Sequence, residues 1–383
     1  DNLVPIFDQY PDMENLLVTI AREGASYGIY IIYTANNTTG VRYKVLQNIR
    51  GAIAFELTGK GDYSAIVGRL EGMSLPKVMG RAFFKGAGPV EFQAALYEAG
   101  EDEQSRSNAL KKMCGRMSEA WQGPRPAVIP VMPKNLFFAD LFQGNRERGK
   151  VPLGMLYDTI RPAEADLQEN YCLLVSGTMN SGKSRYLGAL AQGLRRQRPE
   201  DLIYIFDGLK GSMKPWADAA TRYAAADTSL PVAQMLEEIV EMLNTRKRAQ
   251  NQARSMAGGD FSEREFIAGY EQICIFIDDL KEFVDAAEDA SRNSMERICR
   301  LAGGLGVMVF AAGRVSDLER YNEIESLTRA IAANQKGVGL GGSPSVHSFF
   351  RCDLSYREKE QDPGEGNGFF FWEGRCRKMK LPD

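Results

Sequence analysis

Residues Gly177 to Ser184 read Gly-Thr-Met-Asn-Ser-Gly-Lys-Ser, an order suited to holding a chain of phosphates. Small residues let backbone N–H groups wrap phosphate oxygens at a helix N-terminus, where the helix dipole favours negative charge. Lys183 is the residue that reaches β- and γ-phosphates, and the Ser184 hydroxyl ligates Mg²⁺. Thr178, Met179, Asn180, Ser181 and Gly182 form the turn between them. The flanks agree. The apolar run Tyr171 to Ser176 reads as a buried strand entering the loop, and Arg185 to Gln197 as a helix leaving it. Strand, P-loop and helix together imply a nucleoside-triphosphate site.

A second run, Ile273-Cys-Ile-Phe-Ile277, reads as a buried strand that ends in Asp278-Asp279. A P-loop enzyme holds its magnesium with an acid in this position, so Asp278 is the Mg²⁺-side carboxylate. The next position usually carries a glutamate that polarises the attacking water. Asp279 is shorter by one methylene, about 1.5 Å. Since a misplacement of about 1 Å can cost ~10²-fold in rate, the expectation is ATP and Mg²⁺ binding with slow hydrolysis.

The rest of the composition narrows the chemistry. At 383 residues the chain suits two or more domains. Its net charge of −3, pI near 5.6 and lack of a long basic run weaken a nucleic-acid reading. Its six cysteines contain no Cys-x-x-Cys pair, which fits a reducing cytosol. A single histidine, His347, excludes a His-dependent triad or a multi-histidine metal site. No signal peptide and no apolar stretch of membrane-spanning length is present, so any membrane anchor lies outside this chain.

Internal repetition organises the N-terminal third. Ile20 to Tyr33 matches Ile298 to Ala311 without a gap at an offset of 278, superposing Arg22 on Arg300 and Gly28 on Gly306. Both segments read as a helix end, a glycine turn and a buried strand. Gly80 to Phe84 likewise resembles Gly366 to Phe370, each opening a pair of terminal strands. The same offset carries Asp278 and Asp279 to within a residue of Asp1 and Asn2. Residues 1–100 are thus expected to be the C-terminal half of an α/β module. Residues 101–127 form a linker, with a charged helix-prone stretch to Gln122 that stops at Gly123-Pro124. Residues 128–383 form a complete module with strands at Leu202–Phe206 and Gly306–Ala311 and a long helix from Pro231 to Gln252. Strands alternating with helices imply a doubly wound, mostly parallel sheet with nucleotide at its C-terminal edge.

Asp278-Asp279, the P-loop, Gly337 to His347 and Pro363 to Phe369 resemble the FtsK/SpoIIIE group of RecA-like P-loop NTPases. Ile20 to Asn37, Tyr63 to Arg69 and Gly80-Arg81 are similar, within that group, to EssC and EccC, the membrane-anchored coupling ATPases of type VII secretion. The resemblance covers nearly the whole chain, with the layout of a penultimate module's tail followed by the last module. It implies a motor or receptor at the cytoplasmic face of the bacterial plasma membrane. That protein would work with other modules of its own polypeptide, in a homo-oligomer such as a hexamer. It would recruit small helical-hairpin proteins carrying a Trp-Xaa-Gly turn and drive their export. Lys183, Ser184 and Asp278 match the family's Walker positions; Asp279 departs from its catalytic glutamate. A polar Gln often senses the γ-phosphate at the end of the strand that reaches Ala311, yet Gly313-Arg314 stands there.

Ring-shaped P-loop motors commonly take an arginine from a neighbour, which makes Arg300, its counterpart Arg22, and Arg314 candidates. Each also reads as a solvated or helix-capping arginine. The basic turn Arg246-Lys-Arg248 reads as a solvated helix face, with a phosphate contact as its alternative. Ile324 to Ile331 and Met235 to Leu243 offer a groove for a substrate helix, against the simpler reading that they face the core. His347 reads as a loop contact. Two other functions stand beside secretion coupling. A DNA translocase would usually carry a basic winged-helix appendage, and none follows Asp383. A non-motor platform would use ATP only as a clamp.

Overall fold

The structure, a computed structural model, describes residues 6–7, 10–38, 43–96, 102–125, 128–142, 149–166, 171–333 and 335–382. The chain forms two compact units, 1–126 and 127–383. The expected match of Asp1 and Asn2 to the acid pair, and the boundaries at 100/101 and 127, lie outside the described residues.

In the first unit, helix α1 (Asp12–Glu23) runs into a 3-10 turn and reaches Gly28 at φ 73°, the left-handed conformation of its counterpart Gly306 at φ 74°. The buried strand expected next does not form. Residues 29–33 are in no strand, and Ile32 is 94% exposed. The cause is the absence of neighbours. The matching strand in the second unit is hydrogen-bonded on both edges, and no equivalent flanking strands occur among the described residues of the first. Arg22 pairs with adjacent Glu23 at 2.7 Å in solvent, the solvated alternative.

The second repeat does form. Strands β1 (Ile53–Ala54), β2 (Arg81–Lys85) and β3 (Pro89–Gln93) make an antiparallel sheet. It closes on helix α2 (Lys60–Val67) through Ala54, Tyr63, Val67 and Phe83, with the Tyr63 and Phe83 rings edge to face at 5.8 Å. Helix α3 (Glu103–Ala120) follows, capped by Asp102, whose carboxylate accepts from Ser105 N at 2.6 Å. None of its residues is buried, as expected of a polar linker helix.

The second unit is built on a ten-stranded sheet. Its strands are β4 (Lys150–Leu156), β5 (Pro162–Asp166), β6 (Cys172–Gly177), β7 (Leu202–Asp207), β8 (Arg222–Ala225), β9 (Ile273–Ile277), β10 (Val307–Arg314), β11 (Gly337–Leu340), β12 (Asn367–Trp372) and β13 (Arg375–Lys380). The spatial order is β5-β4-β13-β12-β11-β6-β10-β9-β7-β8. From β11 to β8 every pairing is parallel; from β11 to β5 every pairing is antiparallel. The antiparallel edge β11-β12-β13 repeats β1-β2-β3. In both hairpins the residue after the second strand donates to the glycine before the first: Ala94 N to Gly80 O at 2.8 Å, Leu381 N to Gly366 O at 2.9 Å.

Strands β6, β9 and β10 are buried on both faces, which explains their unbroken apolar sequence. Alternate residues feed two cores: Cys172 and Leu174 one, Leu173 and Val175 the other. Helix α4 (Lys183–Gln197) leaves the loop after β6 and lies on the second core. On the first core lie α5 (Ser229–Ala257) and α7 (Asp289–Ala302); α6 (Leu280–Ala286) follows β9, and α8 (Val315–Ile324) follows β10. Met235, Ile239 and Leu243 are all buried there, as are Leu327 and Ile331, so both candidate groove segments face the core except at Ile324, which is exposed.

The basic turn is a correction in detail. Arg246 is buried, not solvated: Nη1 donates to Leu305 O at 3.0 Å, and its guanidinium lies over the Tyr270 ring at 5.1 Å. A cation can be buried here because a carbonyl and a ring face replace its water.

Candidate nucleotide site

Parallel strands point their C-terminal ends the same way, so the loops after β6, β7, β9 and β10 meet at one edge of the sheet. They enclose a cleft of about 420 Å³. Its walls include the P-loop residues Met179 to Arg185, Lys210 and Ser212 after β7, Asp278, Asp279 and Glu282 after β9, and Arg314 at the end of β10.

The P-loop holds its shape through a few contacts. Gly182 takes φ 85° immediately before α4 begins, and Asn180 takes φ 59°. Those left-handed positions turn the chain so that successive N–H groups can face an anion. Thr178 N donates to Leu340 O at 3.3 Å, tying the loop to β11. Behind it, buried His347 spans Ser176 Oγ at 3.0 Å and Gly341 O at 2.9 Å. A carbonyl only accepts, so the imidazole carries its proton on Nε2 and Nδ1 accepts from the Ser176 hydroxyl. His347 is therefore a loop contact, as the sequence reading had it, and it braces the loop's entry strand.

Lys183 donates from Nζ to Thr178 O at 2.8 Å. Burial lowers its pKa, an effect that the carboxylates of Asp279 and Asp278 oppose and the charge of Arg314 reinforces. Asp278 is 6% exposed, and burial pushes its carboxyl up to about 6, with Asp207, Asp279 and Glu282 adding negative charge nearby. A hydrogen bond from Ser184 opposes that rise. Its Oδ1 is buried without a hydrogen-bond partner. A buried carboxylate oxygen left unpaired beside a serine hydroxyl is a donor set that suits a hard divalent cation such as Mg²⁺.

Asp279 caps α6: its Oδ1 accepts from Glu282 N at 3.1 Å. The carboxylate is thus partly committed to the helix as well as shortened. Glu282, which the sequence reading missed, reaches the same cleft, and its Oε2 accepts from Leu209 N at 2.7 Å. Asp207 organises the loop opposite, accepting from Met213 N at 3.0 Å and Tyr223 Oη at 2.5 Å. A third acid four residues after Asp278 was the available signal for Glu282, because that spacing returns a side chain to the same helix end. Of the three candidate arginines, Arg314 is in the cleft. Arg300 lies at the end of α7 and pairs with Glu296, and it does not line the cleft.

No family model matches the chain. The ESX secretion system protein EccC of Geobacillus thermodenitrificans is 25% identical over the whole of this chain. Along its length the chain is similar to EccC and EssC. Proteins of those names belong to ESX and type VII secretion systems. This chain spans 25% of the length of that EccC. Among solved structures, EssC (ATPases 2 and 3) from Geobacillus thermodenitrificans superposes with a TM-score of 0.77 at 24% identity, covering 100% of this chain and 70% of that one. Thermomonospora curvata EccC (ATPases 2 and 3), solved with a signal sequence peptide, gives 0.53 at 18% identity, covering 100% and 67%. These likenesses show the fold, the P-loop ATPase module of EssC and EccC.

Proposed function

We propose that the chain binds ATP with Mg²⁺ and forms coupling-ATPase modules of a type VII secretion machine that recruit small helical-hairpin proteins for export. The observation that carries this is the cleft itself, where a complete P-loop, the unpaired oxygen of Asp278 and the Ser184 hydroxyl converge. Residues Gly177 to Lys183 would hold the phosphates, while Ser184 and Asp278 would hold the metal. Bound there, Mg²⁺ supplies charge neutralisation on phosphate oxygens. Asp279 is the residue nearest the family's water-polarising role, and its shorter reach and capping bond favour slow turnover.

The arrangement proposed for the chain follows the repeats. Residues 1–100 are the tail of an upstream module, 101–127 a linker, and 128–383 a complete module. Substrate recruitment is supported by the signal sequence peptide held by the Thermomonospora relative. Other modules of the polypeptide, a ring-like homo-oligomer and a membrane anchor beyond this chain complete the proposal. No helix among the described residues is long and apolar enough to cross a membrane. A DNA translocase is the weaker reading, because burial of Arg246 removes one of the three cations of the only basic turn singled out.

The test is steady-state ATP hydrolysis with and without double-stranded DNA and a helical-hairpin secreted protein. Turnover that is low alone, indifferent to DNA and altered by the secreted protein is expected. Stimulation several-fold by DNA would transfer the assignment to a nucleic-acid motor.

A further inference from the structure

Strand β10 ends at the cleft with a cation rather than a neutral polar group. Parallel pairing sets Arg314 opposite Gly177, the first residue of the P-loop. Arg314 lines the cleft, is exposed, and its side chain makes no hydrogen bond or ion pair among the described residues. Its charge is felt by both Lys183 and Asp279, which line the same cleft. Its backbone is fixed from both directions. The seven residues before it in β10 are buried, and α8 begins immediately after it, with Arg314 as N-cap. Leu318 of α8 folds back over Gly313, where a Cβ would stand 2.7 Å from Leu318 Cδ2. A side chain at Gly313 would force the buried Leu318 side chain to shift.

Resting on the nucleotide reading above, we propose that Arg314 acts in cis: seated by β10 opposite Gly177 and lining the same cleft as Lys183 and Asp279, it binds the terminal phosphate and lets the module distinguish ATP from ADP. A guanidinium presents a planar fork of N–H donors that matches phosphate oxygens, and it remains charged at any physiological pH. An arginine donated by a neighbouring subunit would act only in an assembly. Arg314 needs none. Arg300, paired with Glu296 away from the cleft, is left for any such contact between subunits.

The experiment is calorimetric titration of the full chain with Mg²⁺ and either ADP or the non-hydrolysable β,γ-imido analogue of ATP. Protein concentration is held where sedimentation shows a monomer. Wild type is expected to favour the triphosphate. Arg314→Ala should weaken triphosphate binding about 10- to 100-fold while ADP affinity changes less than about 2-fold, and Arg314→Lys should restore part of the difference. Because Arg314 is exposed, the variants should fold, which their melting temperatures check. An unchanged triphosphate-to-diphosphate ratio in Arg314→Ala overturns the assignment. So does equal loss for both nucleotides, or a loss seen only in oligomers. If wild type binds neither nucleotide, the nucleotide reading itself fails and takes this assignment with it.

Discussion

Asp278 and His347 are buried ionisable side chains, one lining the cleft with the P-loop and the other hydrogen-bonded to Ser176 just before it, and burial moves them in opposite directions. Asp278 titrates in the folded chain at about 6, against 3.8 for the unfolded residue. Between those values the folded state holds a proton that the unfolded state has released. Its contribution to stability is therefore present at low pH and lost as pH rises through about 6. His347 is held below its usual 6.5, chiefly by burial and also by the charge of Lys183. Its contribution is present above 6.5 and lost as pH falls through its lower folded value. In Mg²⁺-free buffer at pH 7, Asp278→Asn should thus raise unfolding stability by about 2–3 kcal/mol, the free energy of a two-unit shift. That gain should vanish near pH 4. Urea denaturation across pH 4–7.5 measures it, and a gain independent of pH would mean that Asp278 is not a strained carboxylate. Chemistry at this scale was partly legible. The P-loop and Asp278 announce themselves because phosphate and magnesium demand fixed residue types. Glu282 and Asp207 do not, since their roles depend on which loop faces which.

At the scale of elements, legibility followed burial on both faces. Strands β6 and β9 are continuous apolar runs because the parallel sheet covers them above and below. Residues 29–33 carry the same kind of sequence and form no strand, because a strand is completed by its neighbours. Arg246 was misread for a related reason. The carbonyl of Leu305, 59 residues further along, the Glu271 carboxylate at 3.8 Å and the Tyr270 ring together make its burial tolerable, and helical periodicity cannot see them. The antiparallel strands β4 and β5 lacked a motif to mark them. The strand beside the P-loop gives a direct test of packing. A Cβ on Gly337 would lie 1.9 Å from Leu174 O and 2.8 Å from Phe350 Cζ, and the first of these is backbone that cannot move aside. Gly337→Ala should destabilise the unit by roughly 2–4 kcal/mol. Gly303→Ala, with no atom within 4 Å and φ −59°, should change stability by less than about 1 kcal/mol. Equal effects in thermal unfolding would mean that β11 does not press against β6 as described.

Among the described residues the larger unit carries the candidate nucleotide cleft and the smaller unit a three-stranded sheet that resembles the larger unit's antiparallel edge. Gly28 and Gly306 share a backbone conformation and the two terminal hairpins close with the same hydrogen bond, while the strand that follows Gly306 has no counterpart at residues 29–33. The P-loop and its acid partner occur once in the sequence, within residues 127–383, so a single nucleotide site is expected there. Isothermal titration calorimetry of the full chain with ATP, in the presence and absence of Mg²⁺, tests this most directly when repeated on Lys183→Ala. The predicted result is one site per chain, tightened by Mg²⁺, with affinity reduced at least about 10-fold in Lys183→Ala, as expected for loss of a charge-assisted phosphate contact. Binding that is absent in wild type, or equally strong in Lys183→Ala, would contradict the assignment of the cleft.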